Sequence, residues 1–371
     1  MKALRQPLAM DSRDTTQSQF GMILGAAETL FPGYFALVMA TAAVSIACEL
    51  LGYSTIAAGL VWLNWTFYLA LWALTLVRLL HFPRQVIADL FDHQRAPGFF
   101  TLVAGTCVLA TQTMLVAGAR EVAAALWWLG LTLWFLIMYA FFTAVTVRTR
   151  KPTLARGING AWLIAAVATQ SIVVSRGAVD GLRAPSATIQ LLCVSMFMIG
   201  SMLYLAIIPL IFYRLTFIRL ASRDFSPPYW INMGAVAITT LAGATLMMRV
   251  GHWPVLTEIA AFLPGFTMFF WAAATWWIPL LIALMVWRYV VGKELPRYEP
   301  ALWGMVFPLG MYTTATFQLS RATGLSFLAV IPHLFIFVAL AAWAIVFVGL
   351  LRHLWSSLSP IASERAAARN C

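Results

Sequence analysis

The sequence predicts an all-α integral membrane protein of ten transmembrane helices, built as five tandem parallel hairpin repeats around a central pore. Three observations carry that expectation: long apolar runs, an alternation of basic loops, and a proline–aromatic pair that recurs at one phase. Of the 371 residues, 62% are hydrophobic and 10% charged, with a mean hydropathy of +0.86. A soluble domain carries about a quarter charged residues. Apolar runs of 18 or more residues recur, each long enough to cross the hydrocarbon core as a helix. The short alternating segments of a β-barrel are not visible.

The runs place spans near 32–51, 58–79, 98–118, 123–147, 157–175, 187–213, 229–249, 261–287, 301–320 and 325–351. The 24 Lys and Arg residues divide between the connecting segments, with nineteen on one side and five on the other. The richer side holds both termini, which the positive-inside rule makes cytoplasmic. A missed span would have scrambled the alternation. The expected layout is a cytoplasmic tail over 1–31, a membrane domain over 32–351 and a cytoplasmic tail over 352–371, in a plasma membrane, most simply a bacterial inner membrane. Tails this short leave no room for a signalling domain, and no cleavable signal peptide is expected.

Four odd-numbered spans begin with proline and carry an aromatic three residues later: Pro32 and Phe35, Pro97 and Phe100, Pro227 and Trp230, Pro300 and Trp303. The remaining one has Asn159 and Trp162 in the same relation. Successive starts lie 65, 62, 68 and 73 residues apart. Proline is tolerated in a first helical turn, where its missing N–H has no partner to lose. A repeat of two spans returns the chain to its starting side, so every copy has the same orientation. Such copies suit a ring about the membrane normal, whereas inverted repeats need odd-span units.

The odd spans are the more polar ones. Thr41, Ser45, Thr106, Gln112, Thr169, Gln170, Asn232, Thr239, Thr313 and Thr316 are therefore expected to line the pore. Hydroxyls and amides replace part of an ion's hydration shell without holding it in a deep well. The competing role for these residues is bonding between helices or to their own carbonyls. No Asp, Glu, Lys or Arg lies near the middle of a span, which argues against a buried proton relay or a cation site. Arg120, Arg176, Arg249 and Arg321 end four odd spans. Together they are expected to ring an outer mouth that concentrates anions.

Other classes find little support. The net charge of +11 lies in short loops and forms no basic patch interleaved with aromatics, so no nucleic-acid partner is expected. Four cysteines and five histidines show no metal-ligand spacing. No nucleophile–base pair or cofactor fingerprint is present, so neither an enzyme nor a cofactor is expected.

Four segments carry a family resemblance: FPGYFALVMAT from Phe31 to Thr41, VATQS from Val167 to Ser171, PPYWINMGA from Pro227 to Ala235, and FPLGMYT from Phe307 to Thr313. They resemble the tellurite-resistance/dicarboxylate transporter family, which includes plant guard-cell slow anion channels, fungal malate permeases and sulfite exporters. One departure is Ala40 and Ala42, where many members have glycines around the threonine. The resemblance implies five inner helices around a pore, usually in a homotrimer, and a pore closed by a phenylalanine on the ninth span, here Phe307. It also implies that small inorganic anions, sulfite or C4-dicarboxylates such as malate pass through a channel or channel-like transporter. The alternatives are a proton-coupled dicarboxylate or sulfite carrier, and a non-conducting sensor or scaffold.

Overall fold

The computed structural model describes residue 21 and residues 23–358, apart from 182 and 296. Most of the expected N-terminal tail, and residues 359–371 of the C-terminal one, lie outside the described residues. Within them all regular structure is helical. Ten long helices follow one another: α1 (Ala36–Leu50), α2 (Ser54–His81), α3 (Phe100–Ala117), α4 (Arg120–Val147), α5 (Ile164–Asp180), α6 (Ala187–Phe217), α7 (Ile231–Met247), α8 (Phe262–Val286), α9 (Trp303–Thr323) and α10 (Val330–Leu358). Among the described residues, nine helical segments are long and apolar enough to cross a membrane. The segment of α9 is not one of them, because glycines, Pro308 and threonines dilute its apolar residues.

Helix ends depart from the expected spans where polar side chains find partners. α5 runs on to Asp180 rather than ending near 175, since Asp180 is tied to Arg176 one turn earlier. α10 continues through 352–358, so that part of the expected tail is helical. Gly118 and Gly324 close α3 and α9 in the left-handed conformation, which glycine adopts without a Cβ penalty.

The helices form two concentric layers. α1 packs on α3, α3 on α5, α5 on α7, α7 on α9, and α9 back on α1. The remaining five lie outside this closed ring, each against the inner helix that precedes it. In the segments of α1, α3, α5 and α7, between 78% and 94% of the apolar window is buried; in the outer segments the share is 22% to 44%. Exposed Trp62, Leu136, Phe217 and Trp355 cover the outside with the apolar surface a bilayer requires.

The proline–aromatic pairs reappear as five short 3₁₀ turns: Pro32–Phe35, Ala96–Phe99, Gly160–Leu163, Pro227–Trp230 and Pro300–Leu302. Each leads directly into an inner helix, and each touches the next around a second closed ring. Asn159 does the proline's work at the exception: its Oδ1 accepts from the Ala161 N–H at 2.8 Å. The backbones here approach too closely for side chains. A Cβ on Gly98 would lie 2.7 Å from the Gly33 nitrogen, and one on Gly160 would strike the Pro228 carbonyl. The five inner helices therefore run in one direction from a tightly packed N-terminal collar.

Candidate functional site

A cavity of about 80 Å³ opens near the C-terminal ends of the inner helices. All five line it: Ile46 and Leu50 of α1, Thr111 and Leu115 of α3, Val174 and Ala178 of α5, Leu241 and Thr245 of α7, and Thr314 and Gln318 of α9, with Met248 and Arg249 just beyond α7. These residues mark the axial face of each helix. Seven residues make two turns, so a residue seven earlier points the same way about 10 Å deeper.

That step leads to Met39, Ala104, Val167, Gly234 and Phe307. They lie at matching depth, three or four residues after the start of each inner helix. All five are buried, Phe307 to within 1%. One large ring thus shares a layer with an alanine, a valine and a glycine. Pro308 follows and cannot donate to the Gly304 carbonyl four residues earlier, which loosens α9 beside the ring. A Cβ on Gly234 would lie 2.7 Å from Pro308 Cγ, so α7 and α9 touch closely at this level.

The ten polar residues expected to line the pore face elsewhere. Trp343 of α10 donates to Thr41 Oγ1 at 3.0 Å, and Ser45 donates to the Ala57 carbonyl of α2. Thr106 bonds Tyr68 at 3.0 Å, and Gln112 accepts from Asn64 at 2.7 Å, both partners being on α2. Trp134 of α4 donates to Thr169 at 2.8 Å. Gln170 donates to the Phe197 carbonyl of α6, and Thr316 accepts from Trp271 of α8. Thr239 and Thr313 donate to carbonyls of their own helices. By helical phase they point away from the axis, as does Asn232, whose side-chain N and O find no partner. None of the ten lines the cavity, whose hydroxyls come from Thr111, Thr245 and Thr314. Indole N–H and phenol O–H groups on the outer helices need acceptors in a water-free layer, and the inner threonines supply them. The polar residues that do reach the cavity are Thr111, Thr245, Thr314, Gln318 and Arg249. Thr314 and Gln318 lie seven and eleven residues after Phe307 on α9, two and three turns along one face, which was the available signal.

The four arginines also part company. Arg176 forms a bidentate pair with Asp180, at 2.6 and 2.7 Å, and stacks 4.8 Å from the Trp127 ring. Arg120 reaches the same carboxylate at 4.0 Å. Arg321 is exposed at the end of α9. Of the four, Arg249 lines the cavity, while Arg176 and Arg120 form a paired cluster on Asp180.

The family model described as voltage-dependent anion channel matches residues 29–351, nearly all of this architecture. The chain belongs to the voltage-dependent anion channel family. Members of this anion channel family are transporters or channels and not enzymes, and this chain is accordingly an anion transporter or channel. An uncharacterized membrane protein of Mycobacterium tuberculosis is 40% identical over 156 residues, covering 42% of this chain and 79% of that protein. An uncharacterized transporter of Methanocaldococcus jannaschii is 24% identical over 307 residues, or 78% of this chain and 83% of that one. A sulfite efflux pump of Arthroderma otae is 26% identical over 348 residues, covering 87% of this chain and 90% of the pump.

Proposed function

We propose that the chain is a channel-like transporter that passes small anions along the axis of its inner ring, with Phe307 as the gate. The observation that carries this is the Phe307 layer beneath a cavity lined by all five inner helices. With the ring in place, the narrow apolar level holds no water, and an ion cannot shed its hydration there. Swinging the ring aside opens a layer whose other members are small or flexible, and the proline break in α9 gives that motion room. Above the gate, hydroxyls, an amide and one guanidinium supply partial rehydration.

The proposed architecture is ten spans in five parallel hairpins across residues 32–351. α9 counts as a span because its neighbours, rather than lipid, surround it. The alternating basic loops support cytoplasmic termini and a plasma membrane, most simply a bacterial inner membrane. The homotrimer rests on the family resemblance. Sulfite is the first anion to test, since a sulfite efflux pump aligns along most of the chain; nitrate, chloride and malate complete the set.

The test is flux from liposomes bearing purified protein under an imposed voltage and no pH gradient. Phe307→Ala is expected to raise anion flux roughly tenfold or more, equivalent to about 1.4 kcal/mol of barrier. Equal flux from wild type and variant, at equal reconstituted protein, would remove the gate. Flux that requires a pH gradient at fixed voltage would favour a proton-coupled carrier.

A further inference from the structure

Arg249 is an unusual residue for the lining of this cavity. It is only 8% exposed, yet the partners of its guanidinium are backbone carbonyls: Nη1 donates to Thr245 O at 2.6 Å and Nη2 donates to Gly177 O. Its Nε has no acceptor. The nearby Asp180 carboxylate is already held bidentately by Arg176 and approached by Arg120. Asp180 is thus engaged by Arg176 and Arg120, and Arg249 has no carboxylate partner of its own. A buried cation without a counter-charge is costly, and carbonyl dipoles do not cancel its charge.

Two further polar atoms on the cavity's α9 wall are unsatisfied. Thr314 is 3% exposed and its hydroxyl, which can donate, has no partner; Gln318 Oε1 is an acceptor without a partner, and its Nε2 is the end that an anion would take. Their helix carries Phe307 two turns below Thr314. The cavity, about 80 Å³, has room for a small anion together with water.

We propose that Arg249, with Thr314 and Gln318, forms a binding subsite for one small oxyanion at the far end of the axial path from the collar, separated from it by the Phe307 layer. This rests on the axial path proposed above and names the step next to its gate. A planar guanidinium and a hydroxyl on neighbouring walls can donate to different oxygens of one ligand, a geometry that a single-centred halide cannot match. The bound anion supplies the missing counter-charge, so occupancy stabilises the protein whether or not the gate opens.

The experiment is thermal unfolding of the purified full-length protein in detergent, titrated with sodium sulfite, sodium nitrate or sodium chloride against gluconate at constant ionic strength. Wild type is expected to show a saturable rise in Tm with sulfite and nitrate, at lower concentration than with chloride. Arg249→Gln should move the midpoint concentration up by about tenfold or abolish the shift. Thr314→Val should move it by about threefold, and it serves as the second variant if Arg249→Gln does not fold. Arg150→Gln, an exposed arginine at the opposite end, should leave the midpoint unchanged. No saturable shift in wild type, a lower midpoint for chloride than for the oxyanions, or a wild-type midpoint in both site variants would overturn the proposal. Phe307→Ala flux is scored separately. Raised flux with an Arg249-independent midpoint defeats the subsite and leaves the gate; an Arg249-dependent midpoint with unchanged flux does the reverse.

Discussion

The two ends of the inner ring solve different problems with the same five helices. At the N-terminal collar the chain closes on itself by backbone contact, with glycines at the closest approaches and prolines setting the turns. At the other end the helices stand apart enough to leave a cavity with unsatisfied polar atoms on its walls. Phe307 lies between them, on the axial face and in a layer of mostly small side chains. Closure at the collar is a property of the main chain. Closure at the proposed gate would depend on one aromatic ring. The contrast teaches that rigidity and permeability can be tuned separately in this ring, because they reside at different depths.

Identical substitutions at the two depths should therefore have different outcomes. The largest expected effect is at the collar: Gly160→Ala drives a methyl group into the Pro228 carbonyl, which cannot yield without moving the neighbouring turn. It should cost about 1–3 kcal/mol of stability, as overpacking does, read as a fall in Tm. Flux per folded molecule should not change. If Gly160→Ala instead opens a leak at unchanged Tm, the collar is part of the gate and the comparison fails.

Gly234→Ala makes the corresponding change beside the gate, where the new Cβ would lie 2.7 Å from Pro308 Cγ. Pushing α9 away at that point should shift Phe307 and raise anion flux roughly fivefold, about 1 kcal/mol of barrier. Liposome flux at matched protein checks it, and a stability loss without a flux change would break the distinction between the two levels.

The smallest effect belongs to the seam between the layers. Trp134→Phe removes the indole N–H that reaches Thr169, while Thr169 keeps its bond to the Ala165 carbonyl at 2.8 Å. A loss of about 0.6 kcal/mol, typical of hydrogen bonds between membrane helices, should appear in unfolding measurements and not in flux. A flux change here would restore Thr169 to the axis.

How much of this could be read from the residues differs by depth as well. Helix positions were legible because lipid demands long apolar runs, and the inner starts were legible because proline and asparagine are chosen for the same local reason at each turn. The direction faced by each inner side chain was not. An inner helix is buried on every side, so its apolar residues show no one-faced period. Thr41, Thr106 and Thr169 look like pore hydroxyls in composition, and only the outer tryptophans and tyrosine reveal what they serve. Phe307 was found through a motif, and its helical phase agrees with an axial place. Arg249 and Arg176 are alike in sequence, one residue near each helix end. Asp180, four residues after Arg176, is what separates the neutralised one from the one on the cavity.

For the indole and phenol groups of the outer helices that meet inner threonines, the seam has a direction. Tyr68 of α2 reaches Thr106 of α3, Trp134 of α4 reaches Thr169 of α5, and Trp271 of α8 reaches Thr316 of α9. In each case an outer helix bonds the inner helix that follows it. The same rule joins Trp343 of α10 to Thr41 of α1, across 302 residues of sequence. As the chain emerges from a ribosome, its first helix must wait for its last before that bond can form. Assembly then resembles a clasp bracelet: the order of links is cyclic, and the opening in the chain is only where the clasp happens to be. A chain re-cut at another outer-to-inner loop, with its old ends joined, would carry the same bonds and shift the burden of waiting to a different helix.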